Sequence, residues 1–285
     1  MAHPVMVGVD GSPHSLRAVD WAADEAARRG TSLGLVHTSL WDRYEPDPTD
    51  NDELAEARRA VARLMAEAAG RAAARRPAVT VGTEVVADSP VPGLVEVGSR
   101  AALLVVGCRG RGGLAGVLLG SVCLQVAARS PCPVVVVRGT DDAVGRRHGR
   151  VVLGVGDDAR GLVAAFAFAQ AQLWGSRLTV VRAWGSSAGP LPTRGSAGSE
   201  AAEQDRYRAL ETAVAAAAAA HPAVGVELRP RHGGVPAALL EAAEGADLVV
   251  AGAAHRRHVL GPHPGPVAHA LVQHAPCPVA VVPAG

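Results

Sequence analysis

The sequence predicts an α/β fold of two tandem doubly wound domains, each a five-stranded parallel sheet flanked by helices. Three observations carry this. The chain repeats itself: SPCPVVVVR at Ser130 to Arg138 returns as APCPVAVVP at Ala275 to Pro283, 145 residues on, and VMVGVDGS at Val5 to Ser12 is paralleled by VVLGVGDD at Val151 to Asp158. Within each copy, short β-branched runs alternate with longer helical windows, the pattern of a parallel sheet covered on both faces. A chain of 285 residues with 48% hydrophobic content has enough apolar material for two cores.

The elements of the first copy follow in order. VMVGV predicts a strand over 5–9, and Ser12-Pro13 then supplies an N-cap and a proline at the first helical position, opening a helix over 13–29. Strands are expected over 32–37, 79–86, 102–106 and 133–138, and helices over 52–75, 91–99 and 121–129. The polar, glycine-bearing segment TDDAVGRRHGR reads as a linker over about 140–149, which sets the domains at 1–140 and 149–285. In the second copy, SRLTVVRAW is the counterpart of the strand SLGLVH, and ETAVAAAAAAHP reads as a helix ending at Pro222. The acidic WDRYEPDPTDND and the later GSSAGPLPTRGSAGSE are crossover loops that leave the carboxyl end of a second strand, where either could act as a lid.

Composition narrows the function classes. A net charge of +1, with two Tyr and two Phe, gives no electrostatic or stacking footprint for nucleic acid. No apolar stretch approaches the roughly 20 residues of a membrane span, and the first residues lack a secretory pattern, so a soluble cytoplasmic protein is expected. Cys108, Cys123, Cys132 and Cys277 show no zinc spacing and read as reduced, packed thiols. All 28 basic residues are arginine, which excludes lysine Schiff-base chemistry and a lysine-dependent phosphate loop.

The chemistry concentrates in GCRGRGGLAGVLLGS, six glycines in the stretch from Gly107 to Ser121 directly after the strand LLVV. Glycines leaving a sheet at its carboxyl edge let backbone N–H groups face an anion, and a helix opening at Gly120-Ser121-Val122 adds unsatisfied donors. Arg109 and Arg111 can add charge-assisted bonds to phosphate oxygens. The spacing Gly107-x2-Gly110-x9-Gly120-Ser121, its place after the fourth strand and the CPVVVV that follows resemble the universal stress protein family. Gly-x2-Gly-x9-Gly-[Ser/Thr] marks the ATP-binding members of that family. The resemblance covers both copies and implies a tandem member with Rossmann-like, adenine nucleotide alpha hydrolase-like domains. It implies that Gly107, Gly110, Gly120, Ser121 and Val122 wrap ribose and phosphates, that Asp10 contacts the adenosine part, and that backbone near Thr38 lies beside the adenine. A carboxylate at a strand end suits a ribose hydroxyl or an adenine amine, and Mg²⁺ would accompany the triphosphate. Asp10 also reads as a helix-entry cap, the glycine stretch as a surface loop without ligand, and Gly110-x-Gly112-x-x-Ala115 as a loose dinucleotide signature that lies too late in the copy.

The second copy reads Gly252-x2-His255-x9-Gly265-Pro266, with Gly156 opposite Asp10 and Asp157 adjacent. Proline removes a donor and a hydroxyl at the phosphate end, so this copy is expected to bind nucleotide weakly or not at all. His255, His258, His263, His269 and His274 could ligate a metal but read more simply as solvated loop residues. The favoured function is ATP-dependent regulation in stress response or signalling through an unidentified protein partner. Slow ATP hydrolysis, nucleotidyl transfer and a nucleotide-independent structural role are the alternatives. His14 is the one nearby imidazole and is expected to be exposed. In the family, terminal strands pair across a two-fold axis, which implies an internal pseudo-dimer here and allows a homodimer.

Overall fold

A computed structural model describes residues 3–40, 51–110, 120–156, 161–184, 200–253 and 265–283. The chain divides into two compact units, the first built on residues up to Arg138 and the second from Gly139 on.

In the first unit the order is β1 Val5–Gly8, α1 Pro13–Arg29, β2 Leu33–Thr38, α2 Asn51–Arg75, β3 Val81–Val86, α3 Pro90–Gly98, β4 Leu103–Gly107, α4 Ser121–Arg129 and β5 Val134–Val137. The strands are parallel in the order β3-β2-β1-β4-β5. Strand order therefore reverses between β1 and β4, and the crevice outside their carboxyl ends is the ligand position of doubly wound sheets. Burial follows the sequence pattern. The continuous runs of β1, β4 and β5 are buried, whereas VGTEVV of β3 alternates polar residues and forms the solvated edge. Helix α1 begins where Ser12 caps it and ends at Gly30, whose φ of 63° closes the last turn. Its Trp21 is buried, and Asp24 is clamped by Arg75 and Arg76 from the end of α2 at 2.8 and 2.7 Å.

The second unit repeats the plan. It opens with a capped turn, α5 Asp141–Val144, inside the segment that sequence reads as linker; Thr140 accepts the Ala143 N–H there. Then follow β6 Arg150–Gly154, α6 Leu162–Trp174, β7 Arg177–Trp184, α7 Glu200–Ala220, β8 Val226–His232, α8 Val235–Ala243, β9 Leu248–Gly252, α9 Gly265–His274 and β10 Val279–Val282. Its parallel strands run β10-β9-β6-β7-β8, the same topology, with the reversal between β6 and β9. The start of β6 is fixed by Asp247, fully buried just before β9. Its carboxylate accepts the N–H groups of His148, Gly149 and Arg150 at 3.0, 2.7 and 3.2 Å.

Candidate functional site

The first unit's crevice is built from two chain segments that enter it nearly a hundred residues apart. One leaves β1: the Val9 N–H still pairs with the Val36 carbonyl, after which Asp10 and Gly11, at φ 80°, turn the chain into α1. Asp10 Oδ1 accepts the Ser12 N–H at 2.9 Å, so the carboxylate is held in an Asx-type turn by one oxygen. The other segment leaves β4 as Gly107-Cys108-Arg109-Gly110. It passes so close that a Cβ on Gly110 would lie 2.8 Å from Asp10 Oδ2. Sequence placed Asp10 and Gly110 in one site; the fold sets the second carboxylate oxygen of the first against the backbone of the second.

Three glycines of the spacing motif have three different local reasons. At Gly107 a Cβ would meet the His14 carbonyl carbon at 2.7 Å and the Ser15 nitrogen at 2.9 Å, so glycine there lets the first turn of α1 seat on β4. At Gly110 the neighbour is the Asp10 carboxylate. At Gly120 the contacts of a Cβ among the described residues begin at 3.5 Å, ordinary van der Waals distance, and φ and ψ are −59° and 128°, open to any residue. Neither packing nor backbone conformation among the described residues requires that glycine.

The loop returns at Gly120, whose N–H donates to the Cys108 carbonyl at 3.0 Å. Helix α4 then begins at Ser121 with no side chain capping its first turn, leaving Ser121 exposed and Val122 half-buried at the opening. Arg109 and Gly110 are exposed beside it. Thr38 ends β2, on the same carboxyl edge of the sheet, in register with Val86. Its methyl packs toward Gly93 of α3, where a Cβ would fall 2.9 Å away. Arg111 and the glycines of 111–119 lie outside the described residues.

Several supporting groups make contacts that the sequence does not signal. His37 Nδ1 donates to the Val9 carbonyl at 2.7 Å, fixing the backbone just before Asp10. Ser12 Oγ accepts the Ser15 N–H at 3.1 Å and donates to the Arg109 carbonyl at 3.2 Å. Cys123 Sγ donates to the Gly120 carbonyl at 3.0 Å. His14, expected to be exposed, is half-buried, with Nδ1 3.5 Å from Cys108 Sγ. Burial, then the cations Arg109 and Arg17, hold it below the ordinary histidine value against the opposing pull of Asp10, so the imidazole is neutral at pH 7. Burial pushes the Cys108 thiol up as well, and Cys123 up to about 12, so both are thiols and not thiolates.

The second unit differs at the described positions that correspond to these. Gly156 stands where Asp10 does, with no described residue within 4 Å of its Cβ position, and among the described residues a Cβ at Gly252 would meet a Val163 methyl at 3.2 Å. Gly265 opens α9 at φ 79°, followed by Pro266, whereas Gly120 enters α4 in an extended conformation. His269 and His274 are exposed on α9; His255, His258, His263 and Asp157 lie outside the described residues. Among the described residues no three His, Cys, Asp or Glu side chains converge as metal ligands, and no helix is long and apolar enough to cross a membrane.

Two repeated units of this strand order, the first with a carboxylate set against a glycine loop at its switch point, define a tandem doubly wound α/β protein with Rossmann-like topology. The model of the universal stress protein family matches residues 1–138 and again 148–283, and the chain belongs to that family. A universal stress protein of Mycolicibacterium smegmatis is 32% identical over 98% of this chain and 96% of its own length. One from Mycobacterium tuberculosis is 38% identical over 64% of each chain, so this protein spans just under two thirds of the first curated relatives it matches. Among solved structures, a universal stress protein from Archaeoglobus fulgidus shares the fold over 99% of this chain and 98% of its own, with a TM-score of 0.72 at 18% identity. A solved universal stress protein in complex with cAMP is 36% identical over 48% of this chain and 98% of its own, with a TM-score of 0.36.

Proposed function

We propose that the first unit binds ATP in the crevice outside β1 and β4, and that nucleotide occupancy regulates an interaction with a protein partner in stress response. The observation that carries the reading is the apposition of Asp10 Oδ2 and the Gly110 backbone, followed by the return of the loop at Gly120 to an uncapped helix start. The carboxylate suits ribose hydroxyls, and the backbone donors at Gly120, Ser121 and Val122 suit phosphate oxygens. Gly120 supports this independently: a glycine with no reason of its own among the described residues is accounted for by a ligand that must approach the backbone. Arg109 adds positive charge at the exposed rim. Mg²⁺ demands little of the protein here, because it is held chiefly by phosphate oxygens and water.

Hydrolysis is expected to be slow at most. Phosphoryl transfer to water needs a group that orients the nucleophile, and the His14 imidazole is turned onto the Cys108 thiol. The second unit, with Gly156 for Asp10 and Pro266 after Gly265, is expected to bind nucleotide weakly or not at all.

Calorimetric titration of Mg²⁺ and ATP into the wild-type chain, Asp10→Asn, Gly120→Ala and Pro266→Ser tests the proposal. One site per chain, weakened in the first two variants and unchanged in stoichiometry in the third, is the expected result. Absence of any bound nucleotide overturns the ATP reading, and two equal sites overturn the reading of the second unit.

A further inference from the structure

The polar contacts around the crevice converge on Ser12, which neither the glycine spacing nor the strand pattern singles out. Its backbone N–H holds Asp10 Oδ1 at 2.9 Å. Its hydroxyl oxygen accepts the Ser15 N–H at 3.1 Å, capping α1, while the hydroxyl proton goes to the Arg109 carbonyl at 3.2 Å. One buried residue thus touches all three parts that must be in register: the carboxylate, the start of α1 and the first turn of the glycine loop. The Arg109 carbonyl belongs to the residue between Cys108, whose carbonyl receives the Gly120 N–H, and Gly110, whose backbone faces Asp10 Oδ2. Release of that carbonyl loosens the segment between the backbone bond at Cys108 and the close approach of Gly110 to Asp10.

We propose that Ser12 is a positioning residue of the nucleotide site: through its hydroxyl bond to the Arg109 carbonyl it holds the glycine loop at the distance from Asp10 that a nucleotide requires. This rests on the ATP reading above. An N-cap serine is ordinarily a stability device, replaceable by other capping residues at little cost. Here the donor half of the hydroxyl does work that capping does not call on. Glycine caps a helix nearly as well as serine, so Ser12→Gly removes the tie to Arg109 while leaving α1 capped, and no charge changes. Threonine keeps both the acceptor and the donor.

The test compares wild type, Ser12→Gly and Ser12→Thr in the full chain by ATP titration with Mg²⁺, by thermal unfolding and by amide exchange at Gly120 without nucleotide. Ser12→Gly is expected to unfold close to wild type, to lose about tenfold in affinity, the worth of one hydrogen bond, and to exchange the Gly120 amide faster. Ser12→Thr should restore affinity and protection together. Wild-type affinity and protection in Ser12→Gly, with Gly120→Ala still weakened, overturns the positioning role and leaves the ATP site standing. If no form binds ATP, the ATP reading falls, and the exchange at Gly120 still decides whether Ser12 holds the loop. Loss of affinity only in proportion to a fall in unfolding temperature returns Ser12 to a helix cap and overturns the proposal.

Discussion

Alanine at each of the three motif glycines should separate folding from binding, because the structure gives each glycine a different neighbour. In Gly107→Ala the new methyl lies 2.7 Å from the backbone of His14, and backbone cannot swing aside as a side chain can. The first turn of α1 must move off β4, an overpacking cost at the upper end of its usual range, about 3 kcal/mol. For a unit of this size that lowers Tm by about 6–12 °C. In Gly110→Ala the methyl meets Asp10 Oδ2 at 2.8 Å on an exposed segment, so the carboxylate shifts at a cost of about 1 kcal/mol. In Gly120→Ala nothing described lies nearer than 3.5 Å, and φ is −59°. The gain from a stiffer unfolded chain, about 0.4–1 kcal/mol, is offset by the poorer N-cap, so Tm should stay within about 2 °C of wild type. Nucleotide affinity in that variant should still fall at least about tenfold. Differential scanning calorimetry and ATP titration on the same samples read both quantities. If Gly120→Ala melts as low as Gly107→Ala, or Gly107→Ala melts with wild type, the assignment of the glycines to packing and to ligand is wrong.

Other outcomes follow from buried polar groups. Asp247→Ala strands three backbone N–H groups at the start of β6 and should destabilise the second unit by at least about 3 kcal/mol, seen as a lower denaturant midpoint; a variant as stable as wild type refutes the role of the carboxylate. Burial pushes Asp24 up, but the hydrogen bonds and charges of Arg75 and Arg76 outweigh it and hold the carboxyl below its ordinary 3.8. Stability from this clamp is therefore complete above that value and is lost as pH falls through the lower folded-state value, and Asp24→Asn should flatten the acid limb of a Tm profile. The buried thiols Cys108, Cys123, Cys132 and Cys277 should resist alkylation in the native protein and react on unfolding, and mass spectrometry that finds Cys123 labelled first contradicts its value of about 12.

The elements were legible where local chemistry marks their ends. Ser12-Pro13 before α1 and Gly30 after it bracket a helix that runs over the expected 13–29, and the apolar runs LLVV and VVVV lie within a residue of β4 and β5. The helix over 121–129 coincides with α4 although no side chain caps it. The turn at Asp141–Val144 was hidden inside a linker because four residues carry no period. In the candidate site, the spacing motif pointed to the ends of β1 and β4, which the fold brings together, but not to the reasons behind its glycines. Gly107 answers to His14 and Gly110 to Asp10, contacts nearly a hundred residues apart that depend on β1 and β4 lying side by side. The same distance hides the bond from Ser12 to Arg109 and the half-burial of His14 against Cys108. Periodicity reports which face of an element is apolar; it is silent on which elements become neighbours.

The hydrogen bond between Gly120 and Cys108 has a structural consequence. It ties the two feet of the loop to each other, so the end of β4 and the start of α4 are joined by a backbone bond as well as by the chain between them. The two copies keep one strand order yet differ at this helix start, Ser121 in the first and Pro266 in the second, so a change at the opening of the helix leaves the sheet topology intact.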